Sequence, residues 1–341
     1  MLTTTPLKLV AAICALLSVA DAAAQSLNVV CSMNPQWCRN AASIYERTQG
    51  IKVNVINKPT GESFAQIVAE RERPKLDVWF GGTADPHFQA AEQGLLAEYK
   101  PAALPQLHAW AQTTASASGN KVQGLYSEVL GIAYNSEILN RKKLPAPKCW
   151  KDLAKPEYKG EVQMANAQSS GTSYVAIATF VQLMGEADAF AFMRGMHGNV
   201  SNYSRQGLGP IKAVAKGEAA LSVSFLHNAA QEAEAGFSVK SVTPCEGTGY
   251  SVGAISIIKG APHLADAQKF VEWALSPAGQ KVAATSGSYQ FPSNKGTPVP
   301  DGAPKLKGVK LIDYDLRKYG ASAERRRLIA KWEAEILNAP K

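Results

Sequence analysis

From Ser26 onward, short apolar runs alternate with longer stretches of helical periodicity, and no other feature of the chain constrains its fold as tightly. Strands alternating with helices are the pattern of βαβ units, whose crossovers hold neighbouring strands largely parallel. Leu27–Cys31 reads as a first strand and Cys38–Thr48 as a helix. Ile51–Val55 reads as a second strand, Phe64–Glu72 as a helix, and Leu76–Phe80 as a third strand ending at Gly81-Gly82. In open α/β sheets a ligand sits outside the carboxyl ends of the strands, which marks Ser32, Thr60-Gly61-Glu62 and Gly82-Thr83 by position.

A second set begins near Gly124, with strands expected at Val129–Asn135, Val162–Ala165, Ala219–Phe225 and Ser251–Ile258. Helices are expected at Ser173–Met184, Ala187–Met196, Gly209–Lys216 and Leu264–Leu275. A C-terminal helix at Ser322–Leu337, dense in Arg and Glu, reads as a solvated face. A length of 341 residues favours two lobes over one. Two α/β lobes of similar size are expected, with a cleft between them.

The first 24 residues stand outside this pattern. Lys8 precedes the apolar run Leu9–Ala20, and Ala22-Ala23-Ala24 supplies small residues before Gln25. That is the organisation of a cleavable export signal, and the run is too short to span a hydrocarbon core of about 30 Å. Cys14 follows Ile13, where a lipoprotein cysteine would follow a small residue, so a soluble periplasmic protein cleaved near Ala24 is expected. The chain carries 36 Lys and Arg against 28 Asp and Glu, a net charge of +8. Export makes nucleic acid an unexpected partner for that charge, and a small anion becomes the natural one. Cys31, Cys38, Cys149 and Cys245 then face an oxidising compartment, where two disulfides are expected. Three pairings exist; the short spacing of the first two cysteines favours Cys31–Cys38 with Cys149–Cys245.

The sequence contains no GxSxG elbow, P-loop, HExxH or strand-linked GxGxxG, and its five histidines have no ligand spacing. No enzyme activity, cofactor or metal site is expected. Ser170 with His227 is the least poor pair for a secreted hydrolase. The informative segment is Met164–Tyr174, where a strand end runs through Asn166, Ser169, Ser170, Gly171, Thr172 and Ser173 into a helix. Free N–H groups and a positive dipole end make such a helix start an anion site, and hydroxyls add donors without a competing charge. Capping explains one of these hydroxyls but not four. Ser201–Gly207 reads as a second such turn, where Tyr203 and Ser204 donate and Arg205 pairs with the anion. At Gly61-Glu62-Ser63 the acidic side chain either complements the helix dipole or meets the ligand, and both readings stand.

Taken in order, several segments resemble the periplasmic solute-binding proteins of ATP-driven importers, in the group similar to bacterial ferric-ion-binding proteins. They are Thr48–Val53, Asp77–Gly82, Ala91–Leu96, Gly131–Asn135, Ser169–Tyr174, Lys216–Ala220 and Pro244–Tyr250. The resemblance implies a type II periplasmic binding protein fold, two lobes of mixed, mostly parallel sheet joined by crossing strands and closing on one ligand. It also implies a discontinuous first lobe. The expected division is a signal peptide at 1–24, lobe 1 at 25–125 and 250–300, lobe 2 at 126–249, and a helical segment at 301–341. A membrane permease of an ABC importer is the implied partner of a monomeric receptor.

The family's iron ligands do not carry over. Ferric-binding members place two adjacent tyrosines where this chain has Phe225-Leu226-His227-Asn228, and none of its 11 tyrosines adjoins another. A histidine at this position is similar to members that bind phosphorylated or carboxylated compounds, and His227 becomes a candidate for a phosphate or hydroxyl. The leading expectation is therefore a receptor for a small organic anion, held at Ser170–Ser173 and Tyr203–Ser204 and met from the other lobe by Thr83 and Ser32. A ferric ion or chelate is the alternative cargo. A polyamine would demand carboxylates and aromatic faces that these segments lack.

Overall fold

The computed structural model describes residues 26–341, so the export signal expected at 1–24 lies outside the described residues. The chain opens with β1 (Ser26–Cys31), α1 (Pro35–Gln49), β2 (Lys52–Asn57), α2 (Thr60–Ala69), β3 (Val78–Thr83) and α3 (Ala84–Glu92). The expected strands form because each apolar run is buried: every residue of β3 is, and Leu27, Val29 and Val30 of β1 are fully inaccessible. After α4 (Ala109–Ala117), β4 (Gln123–Asn135) is the longest strand, and α5 (Ser136–Lys142) follows it.

The second set comprises β5 (Val162–Ala165), α6 (Gly171–Met184), α7 (Glu186–His197), β6 (Val200–Ser204), α8 (Gly209–Ala215), β7 (Leu221–Phe225), α9 (Leu226–Glu234) and β8 (Val239–Val242). The chain then returns through β9 (Tyr250–Ile257), α10 (Leu264–Leu275), α11 (Pro277–Thr285) and β10 (Phe291–Pro292). It ends in α12 (Leu316–Gly320) and α13 (Ser322–Trp332).

The sheet order is β2-β1-β3-β9-β4-β7-β5-β6, with β10 and β8 also on β4. Within each half the strands are parallel, β1 with β2 and β3, and β5 with β6 and β7. The joining strands run antiparallel. The first half of β4 pairs β9 from Gln123 to Val129, and its second half pairs β7 from Leu130 to Tyr134. One continuous strand thus belongs to both halves.

Each half has its own apolar core. Trp37, Tyr45, Phe80 and Phe270 centre one, and Trp150, Tyr174, Phe180 and Trp332 the other. The cysteines pair as Cys31–Cys38 and Cys149–Cys245, with Cα separations of 6.0 and 4.8 Å. The first ties the end of β1 to α1.

Two local expectations are corrected. Of the turn expected at Ser201–Gly207, Ser201–Ser204 belong to β6, because its register beside β5 buries Val200 and gives its backbone partners. The C-terminal helix is not simply solvated: Arg325, Leu328, Trp332 and Ile336 recur at helical spacing and bury one face against the second core. Arg325 enters with them because Tyr174 lies beneath its guanidinium, 4.7 Å from the ring centre, and Asp85 is its nearby countercharge.

Candidate functional site

The carboxyl ends of β1, β2 and β3 meet those of β5 and β7 across a cleft that narrows to a cavity of about 90 Å³. A single water needs about 10–15 Å³ on this scale, so the space suits a small molecule. Lining it from the first half are Ser32, Lys58, Thr60, Gly82 and Thr83; the second half adds Ser170, Gly171, Thr172, Phe225 and His227, and the crossing strand adds Tyr126 and Glu128. Helix starts dominate this list. The first turns of α2, α6 and α9 and the N-cap of α3, Thr83, contribute without a side-chain cap from the N-cap residue, while the start of α1 also lines the space and is capped by Asn34. First-turn N–H groups lack the partner that the next turn would give, so these ends turn partial positive charge toward one space; at α2 the N–H groups of Gly61, Glu62 and Ser63 are already taken by the Ser169 and Pro59 carbonyls.

The hydroxyls sharpen this. Ser170 is the N-cap of α6 but makes no capping bond. Among the described residues, Ser170 Oγ, Thr83 Oγ1 and His227 Nδ1 are buried without any hydrogen-bond partner. Leaving such groups unsatisfied costs about 1–3 kcal/mol each, a cost that a ligand taking their hydrogen bonds removes. Ser32 differs: its hydroxyl accepts from Trp79 Nε1 at 3.0 Å and lies 2.8 Å from Ser63 Oγ, so it buttresses the wall.

Glycines let the two walls touch. A Cβ on Gly171 would fall 2.1 Å from Thr83 Oγ1, and one on Gly82 would fall 2.7 Å from Thr60 Oγ1. Gly82 also has φ +89°, a backbone conformation that glycine adopts without strain. Its N–H donates to Tyr126 Oη at 3.2 Å.

Two titratable groups sit on the floor. Burial pushes the His227 imidazole down to about 3, so it is neutral. Burial, reinforced by the charge of Asp85, holds the Glu128 carboxyl well above the usual carboxylate range. Their 3.7 Å approach is therefore a contact between neutral groups rather than an ion pair. Lys58 is the cationic side chain of the lining.

Several sequence candidates lie elsewhere. Arg205, expected to pair with the anion, forms a bidentate ion pair with Glu62 across the cleft mouth. Tyr203 Oη bonds His197 Nδ1 at 2.9 Å, and its ring meets Trp332 edge-on, because β6 turns it into the second core. Ser204 Oγ donates to the Gln206 carbonyl, and Ser169 Oγ to that of Arg205. Asn166 Oδ1 accepts from the Gln168 N–H in a local turn, and Ser173 is buried one residue beyond the cavity lining. Gly61 N–H donates to the Ser169 carbonyl at 3.0 Å, which closes the lip beside the ion pair. Sequence reasoning missed Lys58, Tyr126, Glu128, Asn228 and Gln290, all of which line the cavity. Lys58 was findable: β2 runs two residues beyond the expected end at Val55, placing Lys58 just past its carboxyl end.

Comparison with known proteins gives a consistent answer. An uncharacterized protein of Haemophilus influenzae is 42% identical over 312 residues, 91% of this chain and 90% of its own length. The solved periplasmic binding protein AfuA from Actinobacillus pleuropneumoniae, with exogenous fructose 6-phosphate bound, matches with a TM-score of 0.90. It is 44% identical, over 92% of this chain and 99% of that one. Iron-bound HitA from Pseudomonas aeruginosa shares the fold, with a TM-score of 0.75 at 21% identity over 90% and 99% of the two chains. The family model described as bacterial extracellular solute-binding protein matches residues 74–318. With most of its length inside that match, and a ligand-sized cavity between two α/β halves, the chain belongs to the bacterial extracellular solute-binding protein family.

Proposed function

We propose that this protein is a non-enzymatic periplasmic receptor that captures a small hydroxylated organic phosphate and delivers it to the permease of an ABC importer. The observation that carries this reading is the set of uncapped helix starts around one cavity, with Ser170 Oγ and Thr83 Oγ1 buried and unpartnered among the described residues. A phosphate offers acceptor oxygens on several sides, suited to donors arriving from both halves, with Lys58 as countercharge. Glu128 and His227 are held neutral by burial and suit the ligand's hydroxyl groups. The similarity to AfuA, described with fructose 6-phosphate, favours a sugar phosphate. The donor set disfavours Fe(III): Tyr126 is the one tyrosine of the lining, and Gly82 N–H already donates to its hydroxyl.

In this reading the export signal ends near Ala24, and lobe 1 (25–125 and 250–300) and lobe 2 (126–249) pivot about β4 and β9. The segment 301–341 packs on the second core and on α3 of the first half, and a monomer delivers the ligand. Tighter binding to the closed form drives closure. The test is calorimetry with fructose 6-phosphate, inorganic phosphate and ferric citrate, on the wild type and on Ser170→Ala/Thr172→Ala. We expect the sugar phosphate to bind and the double variant to lose at least about tenfold. Unchanged affinity in the variant would refute the site, and binding of ferric citrate alone would refute the ligand class.

A further inference from the structure

Beside the cleft lies a larger pocket of about 370 Å³, separated from it by Tyr126 and Gln290, which line both. Its walls come from the first half, the crossing strand and the segment after β10, and the second half adds Glu234. Glu234 at the end of α9 meets Tyr289, which donates its hydroxyl to that carboxylate, and the loop 297–302 presses on the pair. A Cβ on Gly302 would fall 2.7 Å from Glu234 Oε1 and 3.0 Å from the Tyr289 ring.

Three polar atoms of this lining are buried without partners among the described residues: Trp37 Nε1, Gln290 Oε1 and Thr297 Oγ1. Their residues are 2%, 6% and 7% exposed, so bulk water does not reach them freely. One is an obligate donor, one an obligate acceptor and one a hydroxyl that serves as either. A ligand answering all three must both donate and accept, which hydroxyl groups do. Around them the surface is mainly apolar, with aromatic and proline faces, and a flat C–H face packs well there. Charge selects further: Glu234 and Asp301 outnumber Lys281, which opposes an anion.

We infer that this pocket is a second solute site, distinct from the anion cleft, that takes a neutral polyhydroxylated ring such as an unphosphorylated monosaccharide. Because Glu234 of the second half reaches this wall through Tyr289, occupancy favours the arrangement in which that contact is made. By linkage it tightens anion binding in the cleft, and the cleft ligand tightens binding here.

The probe is methyl β-D-glucopyranoside, followed by saturation-transfer NMR on the full-length exported protein, with and without saturating fructose 6-phosphate. Two variants test the pocket: Thr297→Trp fills it, and Thr297→Val removes only the hydroxyl and preserves the residue's shape. We expect saturation transfer to the probe in the wild type, undiminished or stronger with the sugar phosphate present. It should be lost in Thr297→Trp and weakened several-fold in Thr297→Val, both of which keep the wild-type circular dichroism. Should Thr297→Trp fail to fold, Thr297→Val decides. Absence of transfer in the wild type, displacement by fructose 6-phosphate, or unchanged transfer in the Thr297 variants would each overturn the site. If fructose 6-phosphate itself does not bind, the anion reading of the cleft fails on calorimetry alone, while the probe still reports on this pocket.

Discussion

Two polar regions face each other across the same cleft and are wired in opposite ways. At the mouth the candidates are committed: Arg205 to Glu62, Ser169 to the backbone of Arg205 and Ser204 to that of Gln206. On the floor Ser170, Thr83 and His227 hold polar atoms with no partner among the described residues. The residue types are similar, and Ser169 of the mouth directly precedes Ser170 of the floor. Solvent makes the difference. Exposed groups at the mouth can satisfy themselves locally, whereas a buried group with free hydrogen-bonding capacity persists only where something else supplies the partner. Polar composition therefore identifies neither region; unspent hydrogen-bonding capacity identifies the floor.

The sharpest way to break this contrast is steric. In Gly171→Val the new side chain collides with Thr83, which is buried and has no room to retreat. Closure over the floor is blocked while both cores are untouched. Ligand binding by calorimetry should fall at least about 100-fold, with the unliganded melting temperature within a few degrees of wild type. Next comes Thr83→Ala/Ser170→Ala, which removes one unpartnered hydroxyl from each wall. A hydrogen bond to a charged group contributes about 1.5–3 kcal/mol, so about 10- to 100-fold per hydroxyl is expected. The Ser170→Ala change alone should leave the unliganded protein no less stable, because its hydroxyl has no partner to lose, whereas Thr83→Ala also removes a buried methyl group.

How much of this was legible beforehand follows from the same physics. The strand ends were visible because β-strand burial writes itself as apolar runs, and the helix start at Ser170 was visible because four hydroxyls exceed what capping needs. Tyr126 and Glu128 were not, since the expected strand starts at Val129, whereas pairing with β9 carries β4 back to Gln123. The commitment of Arg205 to Glu62 was equally hidden. Those residues lie 143 positions apart, and only the closed cleft brings them together.

Titration sharpens the comparison, because the two titratable groups of the floor respond to pH with opposite signs. His227 is held down to about 3 in the fold against about 6.5 unfolded, so the unfolded chain binds more protons in that window. Stability is lost as pH falls through it, and His227→Gln should flatten the acid side of the melting profile. Glu128 is raised, so the fold keeps a proton that the unfolded chain releases, and stability is lost as pH rises above about 4.5. Glu128→Gln should therefore leave the melting temperature near wild type at pH 4 and raise it at pH 8. Each kcal/mol recovered is worth about 2–4 °C in a chain of this size. A melting temperature that falls at pH 8 would mean that Glu128 is ionised and paired.

The mouth should give the smallest effect. Hydrogen bonds from Arg205 hold the Glu62 carboxyl below its ordinary value, so this pair loses its contribution only as pH falls through that lowered value. Arg205 is largely exposed, and exposed pairs are weak and screened by salt. Were Arg205 a direct ligand cation, Arg205→Ala would cost as much as losing the floor hydroxyls, and Glu62→Gln would improve binding by freeing the guanidinium. As a clasp across the mouth, the two substitutions should act alike. Each should weaken binding no more than a few-fold, through faster dissociation in stopped-flow measurements, with the double variant no worse than either single one. Raising the salt concentration should shrink even that difference, because the floor is buried from the ions that screen the mouth.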